Sequence, residues 1–249
     1  MPVAWKIGVP VALACGWEVA GRISHNLLFP SASETAMALA RLVTTSDFWG
    51  ALWISNEAFL AGYALALIVG VSSGLALARW KTVDRWLDVY LNLLVVVPKT
   101  ALMPLFVMAL GLGLASRAAV VFMFAFPVIA VTVRAGAREV DARLVGMART
   151  FCATETQIWR SVLTPGSLPS IMTAVRLGLA HAVGGMVTVE LLLIAAGIGR
   201  LILSFQSDFD AGSLYAAIVV VVTEAVLLIR LAGVFERRFG LWSGTHAIE

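Results

Sequence analysis

The sequence predicts an all-α integral membrane protein with about six transmembrane helices. Of its 249 residues, 60% are hydrophobic and 13% are charged, and the mean hydropathy is +0.93. A soluble domain would carry about 25% charged residues. A transmembrane helix needs about 20 apolar residues. Six stretches are candidates: residues 4–20, 58–78, 87–110, 118–133, 171–196 and 214–234.

The N-terminal stretch also has the outline of a secretory signal, with Lys6 ahead of an apolar run that reaches Cys15. Three positions before this cysteine lies Ala12, where a lipoprotein signal usually has a larger aliphatic residue, and the run continues through Trp17. We therefore expect an uncleaved first helix.

Glycine and proline residues mark special places within the spans. In the second span, Gly70 and Gly74 frame a small-residue face suited to close helix contact. The third span contains Pro98 and Pro104, and the fourth contains Pro127. Such prolines are tolerated where neighbouring helices or a water-filled path satisfy the backbone groups that they leave unpaired.

The connections between the spans differ in length and charge. Residues 21–57 are expected to form an external connection with an amphipathic helix at 33–43, capped by Ser33. The other connections outside the loop discussed below are a basic cytoplasmic turn at 79–88, a tight external turn at 111–113 and a looser external turn at 197–212.

The distribution of lysine and arginine predicts that both termini are cytoplasmic, because cytoplasmic loops are enriched in these residues. With this orientation, the external side holds Arg22, Arg41, Arg117 and Arg200, and Lys99 lies within the third span. The cytoplasmic side holds Lys6, Arg79, Lys81, Arg85, Arg134, Arg138, Arg143, Arg149, Arg160, Arg176, Arg230, Arg237 and Arg238.

The longest polar interval of the second half, residues 138–169, is patterned as two short helices. Asp141 is placed to cap the first. Thr154 followed by Gln157 is the pattern of a capping box for the second, and we expect Pro165, which has no N–H, to end it. The apolar positions are Leu144, Val145, Ala148 and Phe151 in the first helix and Ile158, Trp159 and Val162 in the second. The pattern predicts a cytoplasmic docking surface.

Within this interval, Gly146-Met147-Ala148 is followed by Cys152, Ile158, Thr164-Pro165 and Leu168-Pro169. These positions resemble the cytoplasmic EAA loop of the membrane subunits, or permeases, of bacterial ABC importers, in which a Glu-Ala-Ala triplet is followed by a glycine, an isoleucine and a Leu-Pro pair. Gly146 lies where the family has the acid, and a glycine inside a helix costs roughly 0.5–1 kcal/mol of stability relative to alanine. Cys152 lies in the turn where the family has a glycine in a left-handed conformation. A residue other than glycine in that conformation costs on the order of 1 kcal/mol.

Other motifs extend the resemblance to the branch of these permeases that serves nitrate, sulfonate, taurine, bicarbonate and related solutes. The matching segments are Phe29-Pro30-Ser31, the run from Pro98 to Leu105, Gly111-Leu112-Gly113, Val189-Glu190 and Gly197-Ile198-Gly199. The resemblance implies a type I ABC importer permease fold over a single domain, residues 1–249, with residues 138–169 as its coupling loop.

The resemblance also implies a function and a set of partners. The chain would be the transmembrane subunit of an ATP-driven importer in the bacterial inner membrane, acting as a homodimer in contact with membrane lipid. Cytoplasmic ATP-binding subunits would carry ATP and magnesium, and a periplasmic or lipid-anchored solute-binding protein would deliver a small anion such as a sulfonate, taurine, nitrate or a carboxylate. No catalytic residue, metal site, cofactor or nucleic-acid partner is expected for this chain.

Two groups of residues are expected to carry this function. The ATPase-coupling group is Asp141, Arg143, Leu144, Gly146, Met147, Ala148, Arg149, Phe151, Cys152, Ile158 and Pro165. The translocation-path group is Pro98, Lys99, Pro104 and Glu190.

Lys99 is the most unusual residue of the second group. A lysine deep in a membrane is costly, and it normally faces a cavity or has a partner. It could attract an anionic solute, extend to the outer interface, or pair with Glu190 or Glu224. Glu190 lies nine residues after His181, so the two occupy opposite sides of a helix.

Two other classes compete with the permease. An ion-coupled secondary transporter would use intramembrane ionisable pairs but leaves the docking loop unexplained. An intramembrane serine protease would need Ser73 and His181 to meet. A phosphate-binding loop is not indicated, because Arg22-Ile23 follows Gly16 and Gly21 where Lys and Ser or Thr are required.

Overall fold

The computed structural model describes residues 3–24 and 28–240, excluding the side chains of residues 3–7, 10, 81 and 235–240. Lys6, Lys81, Arg237 and Arg238, which contribute to the predicted cytoplasmic charge, therefore lie outside the described side chains. The ends of the predicted 1–249 domain lie outside the described residues.

The described part of the chain is helical and has no strand. Its helices are α1 (Val3–Ser24), α2 (Ala32–Leu42), α3 (Ser46–Arg79), α4 (Lys81–Val96), α5 (Lys99–Leu110), α6 (Leu114–Glu139), α7 (Ala142–Thr150), α8 (Glu155–Ile158), α9 (Thr164–Gly166), α10 (Leu168–Leu192), α11 (Gly197–Ser207) and α12 (Ala211–Gly240), with a π-helical turn (Trp159–Leu163) between α8 and α9.

Several of these helices are long and apolar enough to cross a membrane. Within the described residues, α3, α6, α10 and the Ala211–Val234 part of α12 qualify singly, and the bent pair α4–α5 qualifies as a fifth candidate. α1, with 22 residues, covers the first predicted span. The prediction of an all-α, multi-pass membrane protein is confirmed.

The third predicted span, residues 87–110, is broken at Pro98, one of the two prolines predicted to interrupt it. The chain bends by 97° between α4 and α5. A proline disfavours helical geometry in the residue before it, and Val97 accordingly has ψ 132°. Pro98 is the N-cap of α5, whereas Pro104 lies inside α5 without ending it. The two predicted helix breakers therefore act differently.

Three predicted connections are shorter than expected, because helices extend into them. α3 begins at Ser46, inside the predicted connection 21–57. α4 begins at Lys81, so the predicted turn 79–88 is mostly helix. The predicted turn 197–212 contains the eleven residues of α11, because the apolar residues Ile198, Leu201 and Ile202 recur at helical spacing and are buried. The tight turn at 111–113 is confirmed, with φ +78° at Gly111.

The chain divides into two compact units. The first comprises Met1–Asn56 and Glu190–Glu224. Its core consists of buried residues from α2, α3, α11 and α12: Leu42, Phe48, Ala51, Ile198, Leu201, Ile202, Ala216 and Ala217. The predicted cap of α2 is wrong by two residues, because Ser31 and not Ser33 caps the helix. The Ser31 side chain accepts a hydrogen bond from the Glu34 N–H, and the Glu34 carboxylate accepts one from the Ser31 N–H at 2.8 Å. Ser33 instead donates to Glu18.

The second unit comprises Glu57–Val189 and Ala225–Glu249. Its core is centred on α6, whose Val121, Ala125, Ile129 and Val133 are buried completely. Glycines of α3 allow α6 to approach closely. A Cβ atom on Gly70 would lie 2.7 Å from the Ile129 side chain, and one on Gly74 would lie 2.8 Å from the Ala130 carbonyl oxygen. The predicted small-residue contact face is therefore confirmed.

Candidate docking site

The predicted docking helix is α7, which follows α6 after only two residues. Val140 is extended, and the Asp141 side chain accepts a hydrogen bond from the Arg143 N–H at 2.8 Å. The prediction that Asp141 caps this helix is confirmed. Because the link between α6 and α7 is so short, a displacement of α7 acts directly on the end of α6.

α7 presents an apolar ridge made of Leu144, Met147 and Phe151. These side chains are exposed by 45%, 56% and 81%, and their spacing places them on one side of the helix. On the adjoining face of the helix, Val145 and Ala148 are partly buried. A row of exposed large apolar side chains on a capped helix is typical of a surface that a partner covers.

A Schellman motif ends α7. The Cys152 N–H donates to the Arg149 carbonyl at 2.9 Å, and the Ala153 N–H donates to the Ala148 carbonyl at 3.1 Å. This motif needs a left-handed residue, and Cys152 has φ +56°. The left-handed conformation predicted for the turn is therefore confirmed. Gly146 lies in open space, with no atom within 4 Å of a Cβ built on it.

The second helix of the loop begins as predicted but ends differently. Thr154 and Gln157 form the expected capping box, and Ile158 is buried. Pro165 does not end the helical segment, which continues through the π turn to Gly166. In this wider turn the Thr164 N–H donates to the Trp159 carbonyl, five residues back. The proline then falls in the first turn of α9, where a missing N–H is tolerated.

The polar residues of the loop interact with one another. Arg149 and Glu155 form an exposed ion pair at 3.2 Å that spans the turn between α7 and α8. Arg143 is 93% exposed and lies 3.9 Å from the Asp141 carboxylate. Both arginines are thus available at the surface that carries the apolar ridge.

A cleft of about 870 Å³ lies beside α7. Its lining includes Asp84, Arg85 and Asp88 from α4, Arg138 from α6, and Gly146 and Arg149 from α7. Two of these lining residues contact the buried Arg134, which lies 3.2 Å from Asp84 and 2.6 Å from Asp88, and Arg138 also pairs with Asp84. In the sequence, the arginines predict only an orientation, and no role is predicted for the aspartates. The matching four-residue spacings, 84 and 88 with 134 and 138, are the sequence signal that suggests this pairing.

The residues predicted to line the path lie in different surroundings. Lys99, partly buried at the first position of α5, donates to the Val95 carbonyl at 3.1 Å and lies 5.7 Å from the centre of the Phe124 ring. Glu190 is 1% exposed and accepts from the Ser55 hydroxyl at 2.7 Å and the Gly199 N–H at 3.2 Å. Pro98 and Pro104 are exposed. The path assignment of these four residues stays a prediction.

Among the described residues, no group of three or more His, Cys, Asp or Glu side chains is arranged to hold a metal ion. The fold, with membrane-length helices and the short exposed helix α7 between α6 and α8, is that of a type I ABC importer permease. A solved structure of the MetNI methionine ABC transporter in an inward-facing conformation has the same fold, with a TM-score of 0.66 over 76% of this chain and 94% of that chain at 20% identity. A second MetNI crystal form has a TM-score of 0.61 at 22% identity, over 77% of this chain and 94% of that chain.

The sequence comparison names the family. The model of the binding-protein-dependent transport system inner membrane components matches residues 62–241, and the chain belongs to this family. It is therefore a permease component of a transport system and not an enzyme. This result confirms the resemblance found in the sequence and sets aside the secondary transporter and the serine protease.

Curated relatives align along nearly the whole chain. A putative aliphatic sulfonates transport permease of Bacillus subtilis is 26% identical and covers 97% of this chain and 89% of its own length. The taurine transport system permease of Escherichia coli is 28% identical, and the alignment covers 97% of this chain and 90% of the relative. A riboflavin transport system permease of Chloroflexus aurantiacus is 28% identical, and the alignment covers 96% of this chain and 91% of the relative.

Proposed function

We propose that this chain is the transmembrane subunit of an ATP-driven importer for small sulfonates, acting as a homodimer in the bacterial inner membrane. Two cytoplasmic ATP-binding subunits, which carry ATP and magnesium, dock on the coupling loops of the two copies. A solute-binding protein on the outer side delivers the solute. Closure of the ATP-binding subunits displaces α7, and the membrane helices open the path in alternation.

The apolar ridge of α7 is the observation that carries this proposal. A helix that presents Leu144, Met147 and Phe151 outward fits a groove on a partner, in the manner of an amphipathic helix held by its i, i+3 and i+7 side chains. Phe151, the most exposed of the three, is the expected anchor, since buried aromatic residues dominate binding free energies at interfaces.

Charge supports an anionic solute. Lys99 lies at the N-terminal end of α5, where the helix dipole adds a partial positive charge to that of the ammonium group. Among relatives of similar identity, three are named for aliphatic sulfonates or taurine, and both kinds of solute carry a sulfonate group. The riboflavin permease marks a heterocyclic solute as the second candidate.

The docking half of the proposal is tested by affinity purification. The tagged chain is co-expressed with the ATP-binding subunit encoded beside it, and Phe151→Ala is compared with the wild type. Loss of a central aromatic anchor costs about 2 kcal/mol, or ~30-fold in affinity. Phe209→Ala is a matched control, because Phe209 is also a highly exposed phenylalanine, at 75%, and lies outside the loop 138–169. Equal recovery of the ATP-binding subunit with Phe151→Ala and with the control would refute the docking assignment.

The substrate half is tested with the assembled complex in proteoliposomes. ATP hydrolysis is measured with the solute-binding protein loaded with taurine, an alkanesulfonate or riboflavin. Stimulation by the sulfonates together with their vanadate-sensitive uptake supports the proposal. Stimulation by riboflavin alone would replace the solute without affecting the docking argument.

A further inference from the structure

We propose that Asp84, Asp88, Arg134 and Arg138 form a charged joint that transmits the displacement of α7 to the bent helix pair α4–α5. This inference rests on the proposed function, because it assigns positioning residues to the same coupling process. The four side chains connect the beginning of α4 to the end of α6 that leads into α7.

Arg134 of α6 contacts two carboxylates of α4 at once. Its two terminal nitrogens diverge to two carboxylates one helical turn apart: Nη1 lies 3.2 Å from Asp84 Oδ1, and Nη2 lies 2.6 Å from Asp88 Oδ1. Arg138, one turn further along α6, pairs with the second oxygen of Asp84. A planar guanidinium directs its N–H groups to two acceptors in fixed directions, whereas the rotatable donors of a lysine ammonium fix no such directions. The joint therefore fixes the rotation of α4 about its axis as well as its distance from α6.

The contact between Arg134 and Asp84 is buried. Arg134 is 8% exposed and Asp84 is 6% exposed, so this contact is shielded from solvent and resists screening by salt. A neighbouring apolar cluster also connects these elements, with Leu91 of α4 beside Ala130, Phe126 and Val131 of α6 and Leu77 of α3. The charges add to this apolar contact a connection whose direction is fixed.

The joint lies beside the cleft, which Asp84, Asp88 and Arg138 help to line. The cleft of about 870 Å³ is lined by residues of α4, α6 and α7, so α7 and the start of α4 are not packed tightly together there. A movement of α7 reaches α6 through Val140 and Asp141 and can then pass to α4 through the charges. α4 leads into α5 at the 97° bend, and α5 begins with Lys99. The joint therefore places the coupling loop and the predicted path lysine on one mechanical connection.

The test uses the complete complex of this chain, its ATP-binding subunit and its solute-binding protein in proteoliposomes. The variants are Asp88→Asn, Asp84→Asn and Arg134→Lys, with Glu139→Gln as the matched control. Glu139 is an exposed carboxylate at the same end of α6 and lies outside the joint. For each variant we would measure recovery of the ATP-binding subunit, thermal unfolding, ATP hydrolysis and taurine uptake.

The joint predicts a specific loss of coupling. Recovery of the ATP-binding subunit and ATP hydrolysis should stay near wild type, whereas taurine uptake per ATP hydrolysed should fall at least about five-fold, the lower range of coupling between distant sites. Arg134→Lys is the sharpest variant, because it retains the charge and removes the rigid fork of N–H groups that contacts both carboxylates. Asp88→Glu, which retains a carboxylate, should restore most of the uptake.

The other outcomes are informative. Wild-type uptake per ATP in Asp88→Asn and Arg134→Lys would overturn the joint. Loss of the ATP-binding subunit from these variants would also overturn it, because the charges would then shape the docking surface. If Asp84→Asn does not fold, Asp88→Asn still decides, since the Asp88 side chain is 44% exposed. Failure of the wild-type chain to retain any ATP-binding subunit would refute the proposed function, and is distinguishable from all variant effects.

Discussion

Replacement of Ser55 by alanine tests how the start of α11 is held in place. Ser55 is buried completely on α3, and its hydroxyl takes part in two hydrogen bonds. It donates to Glu190 Oε2 at 2.7 Å and accepts from the Ile198 N–H at 2.9 Å. Glu190 also accepts from the Gly199 N–H. Ser55 thus connects α3, the end of α10 and the first turn of α11.

The expected magnitude follows from the two groups that lose this partner. Without the hydroxyl, the Ile198 N–H loses its acceptor in a site that excludes water, and Glu190 Oε2 loses one hydrogen bond but keeps the one from the Gly199 N–H. A buried polar group that loses its partner costs about 1–3 kcal/mol. The cavity left by one oxygen atom is small, so the hydrogen bonds dominate. We expect a loss of about 3 kcal/mol in the free energy of unfolding.

Thermal unfolding of the purified chain in detergent measures this effect. For a chain of this size, about 3 kcal/mol corresponds to a fall in Tm of roughly 6–12 °C. Ser72→Ala is the matched control on the same helix, because the Ser72 hydroxyl is exposed and bonds only to carbonyl groups of its own helix, Ile68 and Val69. Equal Tm values for the two variants would refute the bracing role of Ser55.

Three further substitutions test the loop and the helix packing. Gly146→Ala should stabilise α7 by roughly 0.5–1 kcal/mol, because the site is open, and should tighten binding of the ATP-binding subunit in a titration; weaker binding would show that the partner needs the glycine. Cys152→Gly should raise Tm, relieving on the order of 1 kcal/mol, whereas Cys152→Ser should not; equal Tm values would contradict the strain. Gly70→Val should lower Tm by forcing α3 away from Ile129, at about 1–3 kcal/mol, and an unchanged Tm would contradict the close contact.

Local features of the fold could be predicted because they depend on neighbours in the chain. The caps at Asp141 and Thr154 and the left-handed turn at Cys152 are set by a few adjacent residues, and all three are confirmed. The cap of α2 was placed at Ser33 instead of Ser31, because both serines precede the same apolar pattern. Glu34 favours Ser31 as the cap, because a glutamate forms a capping box only with the residue three positions earlier.

Features that depend on distant contacts could not be predicted in the same way. α11 contains glycines at its start and was interpreted as a turn, yet its apolar side is buried against α2 and α12 within the first unit. Glu190 was considered as a partner for Lys99, whereas its hydrogen bonds include Ser55, which lies 135 residues away. The pairing of Arg134 with Asp84 spans 50 residues. Spacing can suggest such a pair, but only the packing of α4 on α6 brings it together.

The coupling loop gains its stability from its ends, and this explains why its departures from the family pattern are tolerable. A helix of nine residues is marginal in isolation, and α7 buries no residue completely. Asp141 satisfies a backbone N–H at its start, the Schellman motif satisfies two carbonyl groups at its end, and the Arg149–Glu155 pair spans the turn to α8. The apolar ridge is therefore ordered before a partner arrives, so less conformational entropy is lost on docking. A glycine at position 146 lowers helix propensity in the middle of a segment whose ends are held.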